Sequence, residues 1–329
     1  MSGWLIHTCA GATHMAGRMC TYEHIMWHMG AAACTPRVFV HADEALGAKS
    51  FPPPYLAPKT DDKVIFRGLN YASGAAGILE QTGELFIGRV PLREQVNYFE
   101  ESKAYMVKVM GENGTRELLK NAIFSITIGS NDILNYMQPS IPFLEHPKVS
   151  PFVFQHFMLS NLTIQLKRLH ELGARKLIVV GIGPLGCIPF VGALYLVPSG
   201  KCSMEVNQLV QGYNTHLNQI LNQLNHDMGP QTTFVYANSY DVFMKIILSY
   251  QQYGFESANA PCCGGYFPPF LCFKGDNELD LCDDRSKYVF WDAYHPTEAA
   301  NFIIAKQLLD GKDNVTTPIS IRQLYNKFL

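Results

Sequence analysis

From residue 122 onward, short apolar runs alternate with longer amphipathic stretches, and this alternation narrows the folds open to the 329-residue chain more than any other feature. The runs at 122–128, 176–180 and 233–236 have the length of strands, and each is followed by a stretch punctuated like a helix. Residues 151–172 open on Pro151 and stop before Gly173. Residues 203–228 follow Ser203, whose hydroxyl can accept from the first free N–H groups, and residues 240–250 follow the third run. Strands joined through helices run parallel, so the order predicts a mainly parallel sheet covered by helices, within one elaborated domain.

The flanking stretches extend this pattern. A β-like run at 63–66 leads into a Gly- and Ala-rich block at 68–77, whose glycines imply close backbone approach, and residues 91–110 read as an amphipathic helix with Pro91 at its start. Val38-Phe39-Val40 fits a short strand and Pro52-Pro53-Pro54 an extended connection. Residues 254–287 are loop-like, 288–291 give a last extended run, and 297–309 a last helix. The longest apolar run, 177–197, is broken by Pro184, Pro189 and four glycines, so it is read as a buried strand and a structured loop rather than a transmembrane segment.

Composition excludes some functions. Charged residues are 16% of the chain and the net charge is −2, which gives no footprint for nucleic acid or an anionic membrane and suits a small neutral or apolar substrate. Of nine cysteines, Cys187, Cys202, Cys262, Cys263, Cys272 and Cys282 form an even set in the body of the chain. With the sequons at Asn113, Asn161 and Asn314 they predict disulfides in an oxidising, secretory environment. A zinc site is the rival reading, but the spacing lacks the two-residue step of zinc knuckles. No signal peptide is visible, because the first 17 residues carry His7 and His14 and no sustained apolar stretch.

The first 37 residues hold four of eleven histidines and five of twelve methionines, and show no periodicity. Cys20, His24 and His28 have helical spacing for metal ligands, yet no scaffold or second shell accompanies them.

Two motifs carry chemistry. Gly129-Ser130-Asn131-Asp132 follows the run Phe124-Ser125-Ile126-Thr127-Ile128, at the carboxyl end of an expected parallel strand, where reactive groups collect. Asn131 there can donate to the oxyanion of an acyl-transfer intermediate; alternatively Asn131 and Asp132 only cap the next turn. Asp292 and His295 stand three positions apart at the entry to the last helix, so the acid can orient the imidazole as a general base for a serine.

With these motifs the chain resembles the plant branch of the GDSL, or SGNH, esterase/lipase family. Four blocks match in order: Asn70-Tyr71-Ala72-Ser73-Gly74-Ala75-Ala76-Gly77-Ile78, Ile128-Gly129-Ser130-Asn131-Asp132, Val180-Gly181-Ile182-Gly183-Pro184-Leu185-Gly186-Cys187-Ile188-Pro189, and Phe290-Trp291-Asp292 through Glu298-Ala299-Ala300. The resemblance implies a flavodoxin-like three-layer α/β/α sandwich over 52–329, and hydrolysis of a small ester or lipid without cofactor or metal. It further implies His295 as general base, Asp292 as its orienting acid, Asn131 as side-chain oxyanion donor, and Gly74 as backbone donor, with Gly77 in its place if the block is shifted. Secretion and a monomeric state are also expected.

One block is absent. The family's first strand and its Gly-Asp-Ser-Leu have no match in residues 1–51, an atypical segment expected to be disordered, with the first strand altered or missing. Gly11-Ala12-Thr13-His14 keeps only the glycine and shows no preceding strand, and Val38-Phe39-Val40-His41-Ala42-Asp43-Glu44 puts Glu44 where serine belongs. No nucleophile is identified, so the chain is expected to be inactive as written. The alternative is a non-catalytic ligand-binding protein on the same fold.

Overall fold

The structure, a computed structural model, describes residues 5–9, 52–57, 62–84, 86, 88–138, 148–266, 281–310 and 315–327. Its main sheet contains β1 (Leu5–Cys9), β2 (Leu69–Asn70), β3 (Ile123–Thr127), β4 (Lys176–Val180), β5 (Thr233–Ala237) and β8 (Thr316–Thr317), in the order β2-β1-β3-β4-β5-β8. All pairs are parallel except β5 with β8. A separate parallel pair joins β6 (Ser257–Pro261) to β7 (Tyr288–Phe290). The helices are α1 (Leu92–Asn121), α2 (Ser130–Met137), α3 (Pro151–Leu172), α4 (Pro189–Leu194), α5 (Met204–Met228), α6 (Ser239–Leu248), α7 (Glu298–Asp310) and α8 (Ile321–Asn326). A mainly parallel sheet flanked by helices, with strands in the order 2-1-3-4-5, is the expected flavodoxin-like three-layer arrangement.

Every residue of β4 and β5, and all of β3 except Thr127, is buried. Layers on both faces remove the alternation of a half-exposed strand, which is why these segments read as continuous apolar runs. Lys176 is the exception within β4. Its ammonium donates to the carbonyl oxygen of Tyr325 at 3.0 Å, and burial lowers its pKa.

The helix boundaries follow their punctuation. Ser150 and Ser203 accept from Val153 N and Val206 N, and Gly173 ends α3 in the left-handed conformation. Helix α1 runs past the expected end at 110, because Gly111 (φ +77°) interrupts the helix without ending it. The run at 63–66 is not a strand; it lies in a 3-10 turn at Asp62–Phe66, and the strand is β2, inside the glycine-rich block.

The segment 1–51 contributes more than its composition suggests. Its residues Leu5–Cys9 form β1, paired with β2 on one side and with β3 on the other, Cys9 opposite Thr127. The first strand is therefore present in altered form. A strand in the middle of a sheet is held by ladders on both edges, so five residues with no strand-like pattern can fill it. Val38–Val40, Cys20, His24 and His28 lie outside the described residues.

Two disulfides join Cys187 to Cys202 and Cys262 to Cys282, and Cys263 is also disulfide-bonded. Among the described residues no group of three potential metal ligands occurs, and no helix is long and apolar enough to cross a membrane.

Made by a secretory route and denatured without reductant, the chain should show far fewer free thiols than its nine cysteines allow. Cutting the Cys187–Cys202 link, with its sequence separation of 15, should cost about 3 kcal/mol of stability. Titration of denatured protein with a thiol reagent decides the first point, and nine free thiols would contradict the disulfide assignment.

Candidate active site

The order 2-1-3-4-5 places a crevice where the chain's direction of winding changes, outside the carboxyl ends of β1 and β3. Two of the sequence blocks emerge there or beside it: the glycine block after β2 and the asparagine block after β3.

The turn out of β3 depends on Gly129. Its φ is +120°, and a Cβ at this position would lie 2.9 Å from Ile182 Cδ1. Helix α2 starts immediately after it, without a side-chain cap. Asn131 and Asp132 therefore do not cap the local turn, as the simpler reading supposed; they reach across to the glycine block. Asn131 Nδ2 donates to the Ala76 carbonyl at 2.9 Å, which leaves its second hydrogen for another acceptor. The Asp132 carboxylate accepts from Ile78 N and Leu79 N, both at 2.9 Å, and from Thr82 Oγ1 at 2.7 Å. Its residue is 1% exposed, and burial pushes its pKa up to about 6 against the downward pull of those hydrogen bonds.

This packing separates the two candidate glycines. A Cβ on Gly77 would fall 2.5 Å from Thr82 Cβ and 2.6 Å from Asp132 Oδ1, so Gly77 is required for close approach. Gly74 is the one residue of 71–79 that is not buried. Its turn is pinned by the neighbouring Ser73, whose hydroxyl oxygen accepts from Val90 N at 2.9 Å. Of the two glycines, Gly77 is the one that the packing requires and Gly74 the one at the partly exposed point of the block.

Asp292 and His295 meet as expected, by a different route. They lie in a loop before α7, closed on β7 by Trp291 N donating to His295 O at 2.7 Å and Thr297 N to Val289 O at 2.9 Å. Both carboxylate oxygens of Asp292 are 2.8 Å from His295 Nδ1, and Oδ1 also accepts from Tyr294 N at 2.8 Å and His295 N at 2.7 Å. The acid side chain is 6% exposed and the imidazole 25%. Nδ1 thus faces a buried carboxylate, and Nε2 is the nitrogen left for proton transfer.

The central loop after β4 joins the two halves of this arrangement. Ile182 exchanges hydrogen bonds with the Asn214 side chain, N to Oδ1 and Nδ2 to O, both at 2.8 Å. Gly186 N donates to Asn207 Oδ1 at 2.9 Å, and the Cys187–Cys202 disulfide closes the same loop. Ile182 packs against Gly129 on one side. At the other end of the loop Phe190 N donates to Ala293 O at 2.9 Å, and the Phe190 and Tyr294 rings lie 4.8 Å apart. Thr82, Asn207 and Asn214 were not singled out from the sequence. The available signal was two asparagines seven positions apart on the buried stripe of α5.

A family model described as GDSL-like lipase/acylhydrolase matches residues 25–308, beginning inside the compositionally atypical segment. A GDSL esterase/lipase of Arabidopsis thaliana is 64% identical over 287 residues, spanning 85% of this chain and 78% of that protein. A second from the same plant is 43% identical over 290 residues, spanning 86% and 77%. GDSL esterase/lipase 7, also of Arabidopsis thaliana, is 36% identical over 280 residues, spanning 83% and 75%.

Asp292→Asn keeps an acceptor for the two loop amides but turns an NH₂ group toward Nδ1, which favours the tautomer with the proton on Nε2. Stability should fall by no more than about 1–3 kcal/mol in thermal denaturation while the imidazole ¹⁵N shifts report the exchanged tautomer. For Asp132, the carboxyl is protonated in both states below the ordinary value of 3.8; between 3.8 and about 6 the unfolded chain has released its proton while the folded chain keeps it. Raising the pH through that window therefore lowers stability, by about 3 kcal/mol in all, and above it the loss is complete. Urea denaturation of wild type and Asp132→Asn from pH 4 to 7 should show the wild type losing ground to the variant; parallel curves would contradict it.

Proposed function

The chain belongs to the family of GDSL-like lipases and acylhydrolases, which are carboxylic ester hydrolases, and we propose that His295 is the general base of its ester-cleaving site. Asp292 orients His295, and Asn131 Nδ2 with the Gly74 N–H donates to the oxyanion that develops on the ester carbonyl. The observation that carries this reading is the Asp292–His295 contact at 2.8 Å, a buried acid holding a half-buried imidazole by one nitrogen. In serine acyl-enzyme chemistry the imidazole takes the hydroxyl proton as the oxygen attacks the carbonyl and returns it to the departing alcohol. Water then repeats the cycle on the acyl-enzyme.

The nucleophile remains the distinguishing feature of this chain. Strand β1 ends at Cys9 beside Thr127 of β3, and next in sequence come Ala10-Gly11-Ala12-Thr13-His14, which keep only the glycine of the family's Gly-Asp-Ser-Leu. They lie outside the described residues, and they contain no serine. Loss of the serine costs other serine hydrolases on the order of a million-fold in turnover, while binding and the oxyanion donors persist. The missing serine also favours the second reading, a protein that binds esters without cleaving them.

The substrate in either reading is a small ester or a lipid, in keeping with the apolar composition and the family. The disulfides and the three sequons support a secreted glycoprotein; lipid degradation and a monomeric state are carried over from the family resemblance alone.

The unaltered chain should give no adduct with a fluorophosphonate probe and negligible cleavage of p-nitrophenyl acetate or butyrate. The triple change Ala12→Asp, Thr13→Ser, His14→Leu rebuilds Gly-Asp-Ser-Leu behind β1 and should recover both, and His295→Ala should abolish the recovered activity. A probe adduct on the unaltered chain that is lost in His295→Ala would show a working nucleophile already present. A folded triple variant that stays inert would count against the proposed site.

A further inference from the structure

The site leaves unexplained a band of apolar side chains on the helical layer. On α3, Val153, Phe157 and Ile164 are 36%, 49% and 54% exposed. Together with the exposed Asn161 they occupy positions i, i+4, i+8 and i+11, which is one face of a helix. On α1, Val109 and Met110 are 53% and 39% exposed and precede the exposed Asn113 by one turn, across the kink at Gly111. Exposed apolar side chains grouped this way usually meet something. In both places the residue among them opens an Asn-x-Thr sequon: Asn113-Gly114-Thr115 and Asn161-Leu162-Thr163.

We propose that Asn161 and Asn113 carry N-linked oligosaccharides and that these glycans cover the apolar side chains beside them. The inference rests on the secretory reading above and adds to it which asparagines are modified and what the sugars do. The donor is a polyprenyl-pyrophosphate oligosaccharide. The asparagine side-chain nitrogen forms a bond to the anomeric carbon of the first sugar as that carbon's bond to the pyrophosphate oxygen breaks. Polyprenyl pyrophosphate leaves, and the nitrogen gives up one proton to a base of the transferase.

Transfer precedes folding, so the folded chain has only to provide room and to tolerate a secondary amide. Both asparagines are exposed. Asn161 Nδ2 donates to the Phe157 carbonyl at 2.9 Å with one hydrogen, and the sugar replaces the other, so this bond to the helix survives modification. The threonines need no freedom afterwards: Thr163 Oγ1 donates to Leu159 O at 2.7 Å, and Thr115 is buried.

The groove that meets this face at Ile164 suits a sugar better than a lipid. A groove of about 570 Å³ between α3 and α5 shares Ile164 with the Asn161 face, and its lining sets His156, Ser160, Gln219 and Gln223 next to Ile164 and Ile220. Alternating hydrogen-bonding and apolar groups match a pyranose ring, which has hydroxyls at its edge and C–H bonds on its face. Asn113 lies in the last third of α1, which runs away from the site's edge of the sheet, so a glycan there leaves the crevice open.

The full chain, secreted from plant cells behind a cleavable leader, is digested with peptide N-glycosidase in ¹⁸O water and sequenced by mass spectrometry. Labelled conversion of Asn to Asp is expected at both 161 and 113. Native deglycosylation should then raise the fluorescence of an apolar-surface dye. In the variant Phe157→Ser with Ile164→Ser, whose sequon is intact, deglycosylation should raise it much less. Because the wild-type glycans are removed after folding, the wild-type dye measurement does not depend on any variant's stability. Disulfide-bonded protein with Asn161 unmodified overturns the inference and leaves the secretory reading standing. Unmodified asparagines together with free thiols overturn both. Glycosylated protein whose dye binding does not change on deglycosylation overturns the covering role.

Discussion

The buried carboxylate of Asp132 is the interaction on which the rest of the site depends. It accepts two backbone N–H groups and one hydroxyl from residues 78, 79 and 82, and so fixes the glycine block, which leaves β2, against the turn that leaves β3. Removing a partner from a buried charge strands that charge, so the three bonds form or fail together. The same tight fit demands a glycine at 77 and places Asn131, its neighbour, against the Ala76 carbonyl. The proposed side-chain donor is thereby set by the anchor that holds residues 78–82, while Ser73 accepting from Val90 N pins the turn of the proposed backbone donor, Gly74.

The other half of the site is built on a second buried acid that works differently. Asp292 spends one oxygen on two amides of its own loop, which closes the loop, and shares both oxygens with His295. Asp132 binds only neutral groups and carries a raised pKa, whereas Asp292 faces the Nδ1 of an imidazole. The central loop links the two acids mechanically. It packs on Gly129 through Ile182, is bolted to α5 by Asn207 and Asn214, and reaches the loop of Asp292 and His295 through Phe190. Rigid support of this kind is what an oxyanion site needs, since its donors must already point at the charge that develops.

Much of this was legible in the sequence because it rests on local rules. Ser203 and Gly173 mark helix ends wherever they occur in such patterns, and strands covered on both faces betray themselves as apolar runs. The pairing of Asp292 with His295 was legible from spacing, although a closed loop rather than a helix produces it. What escaped was set by distant partners. β1 is a strand because β2 and β3 flank it, and nothing within Leu5–Cys9 announces that. Asp132 looked like a turn cap because its three partners lie more than forty residues upstream, and the role of Thr82 is invisible without them. The two candidate glycines differ only in burial, which a run of small residues does not disclose.

In the proposed site Asn131, Gly74 and His295 converge on one ester carbonyl whether or not a nucleophile is present. A crystal structure of the unaltered chain soaked with butyrate, the product of a short ester, tests that convergence directly. One carboxylate oxygen is expected within hydrogen-bonding reach of Asn131 Nδ2 and the Gly74 N–H, and the other beside His295 Nε2. Butyrate bound away from these three groups, with the crevice holding only water, would contradict it.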